Sequence, residues 1–584
     1  MAYADAVCDG QFPWFAYGPV KLGLPPRWDF DFVSGKSWPK TRSENLQVVR
    51  HDGSDVKVPW ELSRMQFLPV LGKAWRLSGD QRYRAAGKDL LSDWIEKNPS
   101  GAGVNWTIAM EAALRAMSIC FFLELALPWG ADDAPWLRQV TSNLWKHLLF
   151  IEAHNEFSHL SRSNHYLSNV VGLLCLSSYL DGPQMKARRR LYANLVGREM
   201  FHQVYEDGGD FEASFGYHLL VLQMFTSAFL LMKAQGTGPT EEFSERLKRM
   251  YKYVAALADP QGRLAHVGDC DDGRVELLTD DLETMMALEN RYSLRVADQL
   301  GIGEALFDMP GGSPADDAVC YANVDRVTSV GNDTVAENVR VFRNSGVAVV
   351  KSSDAEAVFL AIPNGMAGKG SHTHNDKLSV LLNLGNHHLF VDSGCAGYTR
   401  NASLRNRFRA TAAHNTIQID DEEQNRFSKS PGGLFSISDD AQLSPITMEN
   451  LDGEVVLSAS HDGYHRLGII HKRIMRWNGQ RQLTLDDELT GYGKHTFAAR
   501  FHLPSHCQIA IRQDCGELVS CSIHGPSRVT MTFRAASELS LSSDTAQTSS
   551  AFGSISESGV IVVSGTFIPP FTLYSAISWE DLPT

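Results

Sequence analysis

The sequence lacks most of the features that would assign it at sight. Its nine cysteines are scattered over 584 residues, odd in number and without a CxxC pair. That argues against a disulfide framework and against a thiolate zinc site, so any metal here would be held by histidine and carboxylate. No stretch reads as long enough to span a membrane; the apolar run LLVLQMFTSAFLLM near 219–232 is short and contains Gln223. The opening residues MAYADAVCDGQFPW carry neither a basic start nor an apolar core, so no signal peptide is visible. The expectation is a cytoplasmic protein or a chain that begins after processing. Positive charge is also in deficit. A net charge of −14 argues against a general binder of nucleic acid or anionic membrane, while leaving room for a local basic cleft that takes an anionic substrate.

What is present is an ordinary globular composition, 43% hydrophobic and 21% charged. The chain is too long for one hydrophobic core, so two or more domains are expected. From about 57 to 300 the apolar spacing is helical. Candidate helices cover 58–79, 82–98, 105–127, 135–155, 164–180, 184–204, 214–235 and 241–258, punctuated by SGD, NPSGAG, DGP and DPQG. Short connections make consecutive helices antiparallel neighbours, hence stacked hairpins in a toroid or a solenoid. No sequence period supports a known repeat family. From about 335 the pattern changes to short β-branched runs such as VRVFRNSGVAVVKS, AVFLAIP, LSVLLNLGNHHLFVDSG and GVIVVSGTFI. These read as strands of a mostly antiparallel sheet, with a sandwich as the expected form. The turn-rich DMPGGSPADD marks a seam near 305–335, and a ligand site between the halves is the default expectation.

Three stretches could carry chemistry. In SRSNHYLSN (161–169), Ser163 is placed to cap a helix that opens with Asn164, His165 and Tyr166. In EDGGDFEASFGYHLL (206–220), Asp207, Asp210 and Glu212 precede Tyr217 and His218. Acidic residues suit a helix N-terminus. They could equally do acid–base glycosidic hydrolysis, and Tyr217 could transfer a proton. In GSHTHNDKLS (370–379), His372 and His374 stand two apart and project together on an extended chain. His374, Asp392 and His414 form a reasonable two-histidine, one-carboxylate metal set; the bland alternative is that His414 caps a strand and Asp392 closes a turn. A strict two-residue turn at Gly385-Asn386 would put Asp392 on the wrong face, whereas a longer turn or a bulge would restore it. Arg400, Arg405, Arg407 and Arg409 make a basic stretch beside these ligands, and arginine's planar fork suits carboxylate and sulfate.

Taken in order, VPWELSRMQFLPVLGKAWRLSGD, GVNWTIAMEAALRA, SNHYLSN, DGGDFEASFGYH, GSHTHNDKLS, LFVDSG, FRATAAHNTI and HDGYHRL resemble the heparinase II/III-like polysaccharide lyases. The resemblance implies an incomplete (α/α) toroid over 1–320, followed by an antiparallel β-sandwich over 321–584. It implies β-elimination on a uronic-acid polysaccharide: a glycosaminoglycan such as heparan sulfate, chondroitin or hyaluronan, or alginate. By the same matching, Asn164 and His165 neutralise the uronate carboxylate, Tyr217 serves as acid or base, and His372 serves as base on the other face. His374, Asp392 and His414 hold a structural divalent metal, zinc by default and manganese as the alternative. Asn375 and Asp376 support these residues. Tyr398, Arg405, Arg409, Asn105 and Trp106 are expected substrate contacts, with Glu111 and Arg115 either lining the cleft or pairing along their helix. The run HTHND departs from the family's small residues at that point, and Lys377 follows. The implied partner is an anionic polysaccharide, with neither nucleic acid nor membrane. The implied location is periplasmic or secreted, and the oligomeric state is left open. Two other readings compete: an inverting glycoside hydrolase using Asp207, Asp210 or Glu212, and a non-catalytic protein that binds or assembles exopolysaccharide.

Overall fold

The computed structural model describes residues 1–581 except 15–16, 51, 160–161, 276–292, 308, 310–338, 429–432 and 526. The expected seam near 305–335, with the 320/321 boundary, lies almost wholly outside the described residues. The N-terminal half is helical. After α1 (Ala2–Cys8) come α2 (Lys57–Ser63), α3 (Phe67–Ser78), α4 (Gln81–Lys97), α5 (Ala109–Leu125) and α6 (Ala134–Ala153). Next are α7 (Asn164–Tyr179), α8 (Met185–Gln203), α9 (Phe215–Ala234) and α10 (Glu241–Leu257). Helices α3, α5, α7 and α9 pack side by side in chain order, and α4, α6, α8 and α10 fold back outside them. This is a toroid of hairpins that does not close.

The sequence sorts the two rows. In α10, Phe243, Leu247, Met250, Tyr251 and Val254 are buried on one stripe while the rest is largely charged, as a helix half-exposed to water requires. In α9 every residue from Phe215 to Phe229 is buried. That helix is long and apolar enough to cross a membrane, which corrects the reading of its central run as too short, but 89% of its apolar window is buried inside the protein. Gly172 lets α7 approach α5, since a Cβ there would lie 2.6 Å from Cβ of Ala113.

The single helix expected over 58–79 is two. Met65 has φ 55° between α2 and α3. Pro69 explains the break: it offers no N–H to the Met65 carbonyl, and its ring would clash there in a continuous helix. At the first turn of a new helix it is tolerated. The helix expected from 105 begins at Ala109, with Val104–Trp106 forming a 3-10 turn.

The C-terminal half is antiparallel. Strands β1 (Val339–Phe342), β2 (Val347–Lys351), β3 (Ala355–Leu360), β4 (Ser379–Leu384) and β5 (His387–Phe390) form a meander in the order β5-β4-β3-β2-β1. An eleven-stranded sheet follows, running from Ile417–Ile419 at one edge to Thr447–Leu451 at the other. Ala348, Val350, Ala357, Phe359 and Leu382 pack against Leu485, Phe497 and Phe501 of the large sheet, closing a sandwich. The opposite face of the meander (Val347, Val349, Val358, Leu360, Leu381) joins the core of the helical half. Burial on both faces explains why VAVV and AVFLA read as continuous apolar runs.

The β4–β5 hairpin answers the register question. Leu384 pairs with His387 across the two-residue turn Gly385-Asn386, Asn383 with His388, and Leu382 with Phe390. Leu389 is therefore a bulge residue, and the bulge returns Asp392 to the face needed to meet His374. His372 and His374 lie in an extended loop before β4 and not in a strand.

Candidate active site

Helix caps aim the first group of side chains. Ser163 Oγ accepts the His165 N–H at 3.3 Å, starting α7. Ser214 Oγ accepts the Tyr217 N–H at 3.2 Å, starting α9. The first turns of α5, α7 and α9 thus open into one cleft, lined by Met110, Glu111, Asn164, His165 and Tyr217. Lys57 and Trp60 of α2, with Arg64 just after it, add a wall, and the β half contributes Ser371, His372, Tyr398, Thr399 and Phe435. The cleft encloses about 1280 Å³, part of it open to solvent.

Tyr217 and His372 meet across the two halves. Their rings stack with centroids 3.7 Å apart and planes 19° apart. The Tyr217 hydroxyl lies 3.1 Å from that of Tyr398 and donates to Asp271 Oδ2 at 3.3 Å. Burial, reinforced by the charges of Asp271 and Asp269, pushes the Tyr217 phenol well above its ordinary value. It is a phenol, not a phenolate, at neutral pH. Burial would also push Asp271 up, but Lys57 (2.9 Å) and Arg64 outweigh it and hold the carboxyl down at about 2. Tyrosine and histidine were expected on opposite faces of the sugar. As they stand, no sugar fits between them; they present one side to the cleft.

His165 remains 41% exposed, so a ligand can reach it. Its Nδ1 donates to Glu156 Oε1 at 2.7 Å. Burial disfavours the imidazolium, yet the Glu156 carboxylate wins and raises the pKa above its ordinary value. Glu156 is fixed in turn by the Met110 N–H (2.9 Å) and Asn169 Nδ2 (3.2 Å). Asn164 is fully buried, its N–H and Nδ2 donating to Glu212 at 2.5 and 2.7 Å. An amide and an imidazole therefore stand side by side at the start of α7, the amide tied to Glu212 and the imidazole to Glu156.

His374, Asp392 and His414 are all buried, and one ligand atom from each lies within 4.8 Å of the others. His414 Nδ1 donates to Asp392 Oδ2 at 2.7 Å, and His374 Nε2 donates to Asp269 Oδ1 at 3.1 Å. The second nitrogens, His374 Nδ1 and His414 Nε2, are buried without a hydrogen-bond partner. Buried polar atoms are rarely left so, and two histidines with a carboxylate suit a first-row divalent cation. The residues fit a metal.

Several expected contacts are elsewhere. Asn105 donates to the Trp28 carbonyl and Asn98 Oδ1, each at 2.9 Å, and Trp106 Nε1 donates to the Asn98 carbonyl at 3.1 Å. Both are buried behind the cleft wall, because the 3-10 turn that carries them faces inward. Arg405 and Arg409 are buried too: Arg405 makes a two-pronged pair with Asp269 (2.9 and 2.7 Å), and Arg409 donates to the Gly433 carbonyl at 2.7 Å. Of the five, only Tyr398 lines the cleft. Glu111 does not pair with Arg115 but with Arg64, both contacts at 2.7 Å; Arg115 donates to His147 at 2.9 Å.

The hydrolase carboxylates are also spoken for. Asp207 accepts the N–H groups of Asn344 (2.8 Å) and Ser345 (2.9 Å), tying the two halves together. Asp210 is buried, and burial with the neighbouring Glu212 charge holds its pKa well above normal. None of Asp207, Asp210 and Glu212 lines the cleft.

Sequence reasoning missed Asp269, Asp271, Glu156 and Lys57. The first two sit in VGDCDDG, an acidic turn of the same kind as the DGGD that was singled out, so the signal was there. Glu156 and Lys57 are ordinary charges in sequence and become part of the site only by folding.

A helical toroid and a β-sandwich thus share one cleft, with tyrosine, two histidines and an asparagine along it. The chain belongs to the heparinase II/III-like family: residues 28–289 match its "Heparinase II/III N-terminus" and residues 334–579 its "Heparinase II/III-like, C-terminal". It is 21% identical over 481 residues to a "Heparin-sulfate lyase" of Bacteroides stercoris, covering 77% of this chain and 64% of the relative. It is 23% identical over 480 residues to a "Heparin-sulfate lyase" of Bacteroides thetaiotaomicron, covering 79% and 63%. The chain thus spans less than two thirds of the length of these relatives. In fold it is similar to the crystal structure of a heparinase III, with a TM-score of 0.73, 16% identity, and coverage of 100% of this chain and 85% of that one.

Proposed function

We propose that the protein is a polysaccharide lyase that cleaves uronic-acid polymers by β-elimination. The observation that carries the reading is the buried Tyr217–His372 stack, which faces the same cleft as Asn164 and His165. His165 and Asn164 neutralise the uronate carboxylate, so that charge can build at C5. His372 takes the C5 proton. The C5–H electrons form the C4=C5 bond, the C4–O pair leaves with the glycosidic oxygen, and the Tyr217 phenol protonates that oxygen. Burial and acidic neighbours favour the phenol over the phenolate, hence acid over base for Tyr217.

Because Tyr217 and His372 stand on one side, proton removal and leaving-group protonation occur on one face. That syn geometry suits glucuronate, whose C5–H and C4–O point the same way, better than iduronate. The relatives' names support a glycosaminoglycan, with heparan sulfate, chondroitin and hyaluronan as candidates and alginate behind them. His374, Asp392 and His414 would hold a structural ion, zinc by preference, that fixes the loop carrying His372. A polymer substrate implies action in the periplasm or outside the cell. The hydrolase reading has no free carboxylate in the cleft among Asp207, Asp210 and Glu212.

The test is ultraviolet absorbance from the new double bond on heparan sulfate, heparin, chondroitin sulfates, dermatan, hyaluronan and alginate. Elimination on a glucuronate polymer ahead of dermatan is expected. New reducing ends without absorbance would mean hydrolysis, and neither signal on any polymer would leave a binding protein.

A further inference from the structure

Asp269 is the point on which the two chemistries of the site converge. It is 1% exposed and sits in the turn between α10 and the end of the helical half. Its Oδ2 accepts from His372 Nδ1 at 3.0 Å and from Arg405 at 2.7 Å. Its Oδ1 accepts from His374 Nε2 at 3.1 Å and from Arg405 at 2.9 Å. Its backbone joins in: the Asp269 N–H donates to the His372 carbonyl at 2.9 Å, and its carbonyl accepts from the Ser214 hydroxyl, the cap of the helix that carries Tyr217. The approach is close enough to require glycine next door. Gly268 has φ +69°, and a Cβ there would stand 2.7 Å from the His372 carbonyl oxygen.

We infer that Asp269 is a positioning residue that couples the metal site to the reacting histidine. Through Oδ1 it holds the His374 ring by Nε2, leaving Nδ1, the unpartnered buried nitrogen, as the ligand atom. Through Oδ2 it holds the His372 ring by Nδ1, which turns Nε2 toward Glu212 Oε2 at 3.5 Å while the ring lines the cleft. A carboxylate behind a metal-bound imidazole is a common way of orienting the ligand. Here the same carboxylate orients a second imidazole that binds no metal. Arg405 is the counter-charge that keeps this carboxylate in place, which accounts for an arginine that the sequence placed beside the substrate.

The inference rests on the lyase reading for the role of His372, but half of its test needs no substrate. Metal-free wild type, D269N, D269N/R405M and H372A are titrated with Zn²⁺ against a competing chelator. The double variant is included because D269N alone leaves Arg405 buried without its partner, which by itself can unfold the protein. D269N and D269N/R405M should bind Zn²⁺ roughly 10–100-fold more weakly, while H372A binds like wild type. On the polymer that wild type cleaves, kcat of the two Asp269 variants should fall by a similar factor of about 10–100, with KM changed less than about threefold. Wild-type affinity in D269N/R405M overturns the inference, as does lost affinity with kcat intact. A purely structural role would lower the melting temperature and leave both readouts in place. A wild type that cleaves no polymer sinks the lyase reading alone, and the affinity comparison then decides for Asp269.

Discussion

Tyr217→Phe separates chemistry from architecture more cleanly than any other single change. The variant keeps the ring stacked 3.7 Å from His372 and keeps the Ser214 cap, which uses the Tyr217 backbone N–H. It loses two hydroxyl contacts, at 3.1 Å to Tyr398 and 3.3 Å to Asp271. Both are long, and hydrogen bonds of this kind contribute about 0.5–1.5 kcal/mol each. Asp271 retains Lys57 at 2.9 Å and the Gly273 N–H at 3.0 Å, so no buried charge is stranded. The stability loss should therefore stay near 1–2 kcal/mol, on the order of one or two such bonds. The catalytic loss should be larger. A positioned acid contributes about 10²–10⁴-fold, or roughly 3–5 kcal/mol of barrier. The assay is initial-rate ultraviolet absorbance on the best polymer, with thermal melting run alongside. Tyr398→Phe is the control, because it removes the same 3.1 Å contact and leaves the Tyr217 phenol in place. If Tyr217→Phe keeps kcat within about tenfold of wild type, Tyr217 is not the acid and the reasoning fails.

Three further outcomes are expected. Glu156→Gln removes the charge that raises the His165 pKa, so if the imidazolium is the active form, the limb on which kcat/KM falls with rising pH should move to lower pH; a pH–rate profile that does not move would remove His165 from the neutralising role. His374→Ala should lower both the bound-metal content and the melting temperature, and chelation of wild type should lower the melting temperature in the same way; unchanged melting in both would leave the His374, Asp392 and His414 cluster without a metal role. Asp207→Asn should lower stability by about 1–3 kcal/mol, since it weakens the seat of two backbone N–H groups, while leaving kcat near wild type; a hundredfold loss of kcat with the fold intact would revive the hydrolase reading.

The halves of this protein were legible in the sequence because periodicity is a local property. Helix α4 and helices α6 to α10 begin and end within two residues of the expected positions, and Ser163 caps where a serine before Asn-His-Tyr should. The grouping of His374, Asp392 and His414 was legible as one of two readings, a metal set or a strand cap with a turn, and the fold brings the three together. The site's supporting charges were not. Arg405 and Arg409 read as surface arginines turned toward an anion, and folding buried both. Whether a charge faces substrate or a partner depends on what the other half of the chain brings against it, and Asp269 lies over 100 residues from His372 in sequence while touching it in space.

The sequence by itself determined an α half followed by a β half, since periodicity follows from side-chain type and spacing, and its ordered motifs carried the resemblance that the family match bears out. Only the tertiary structure decided that a bulge at Leu389 brings Asp392 to the metal cluster, that Tyr217 and His372 stand on one side, and that Asp269 joins the two histidines. Each of these turns on a displacement of a few ångströms between segments far apart in the chain, and local spacing carries no information about such displacements.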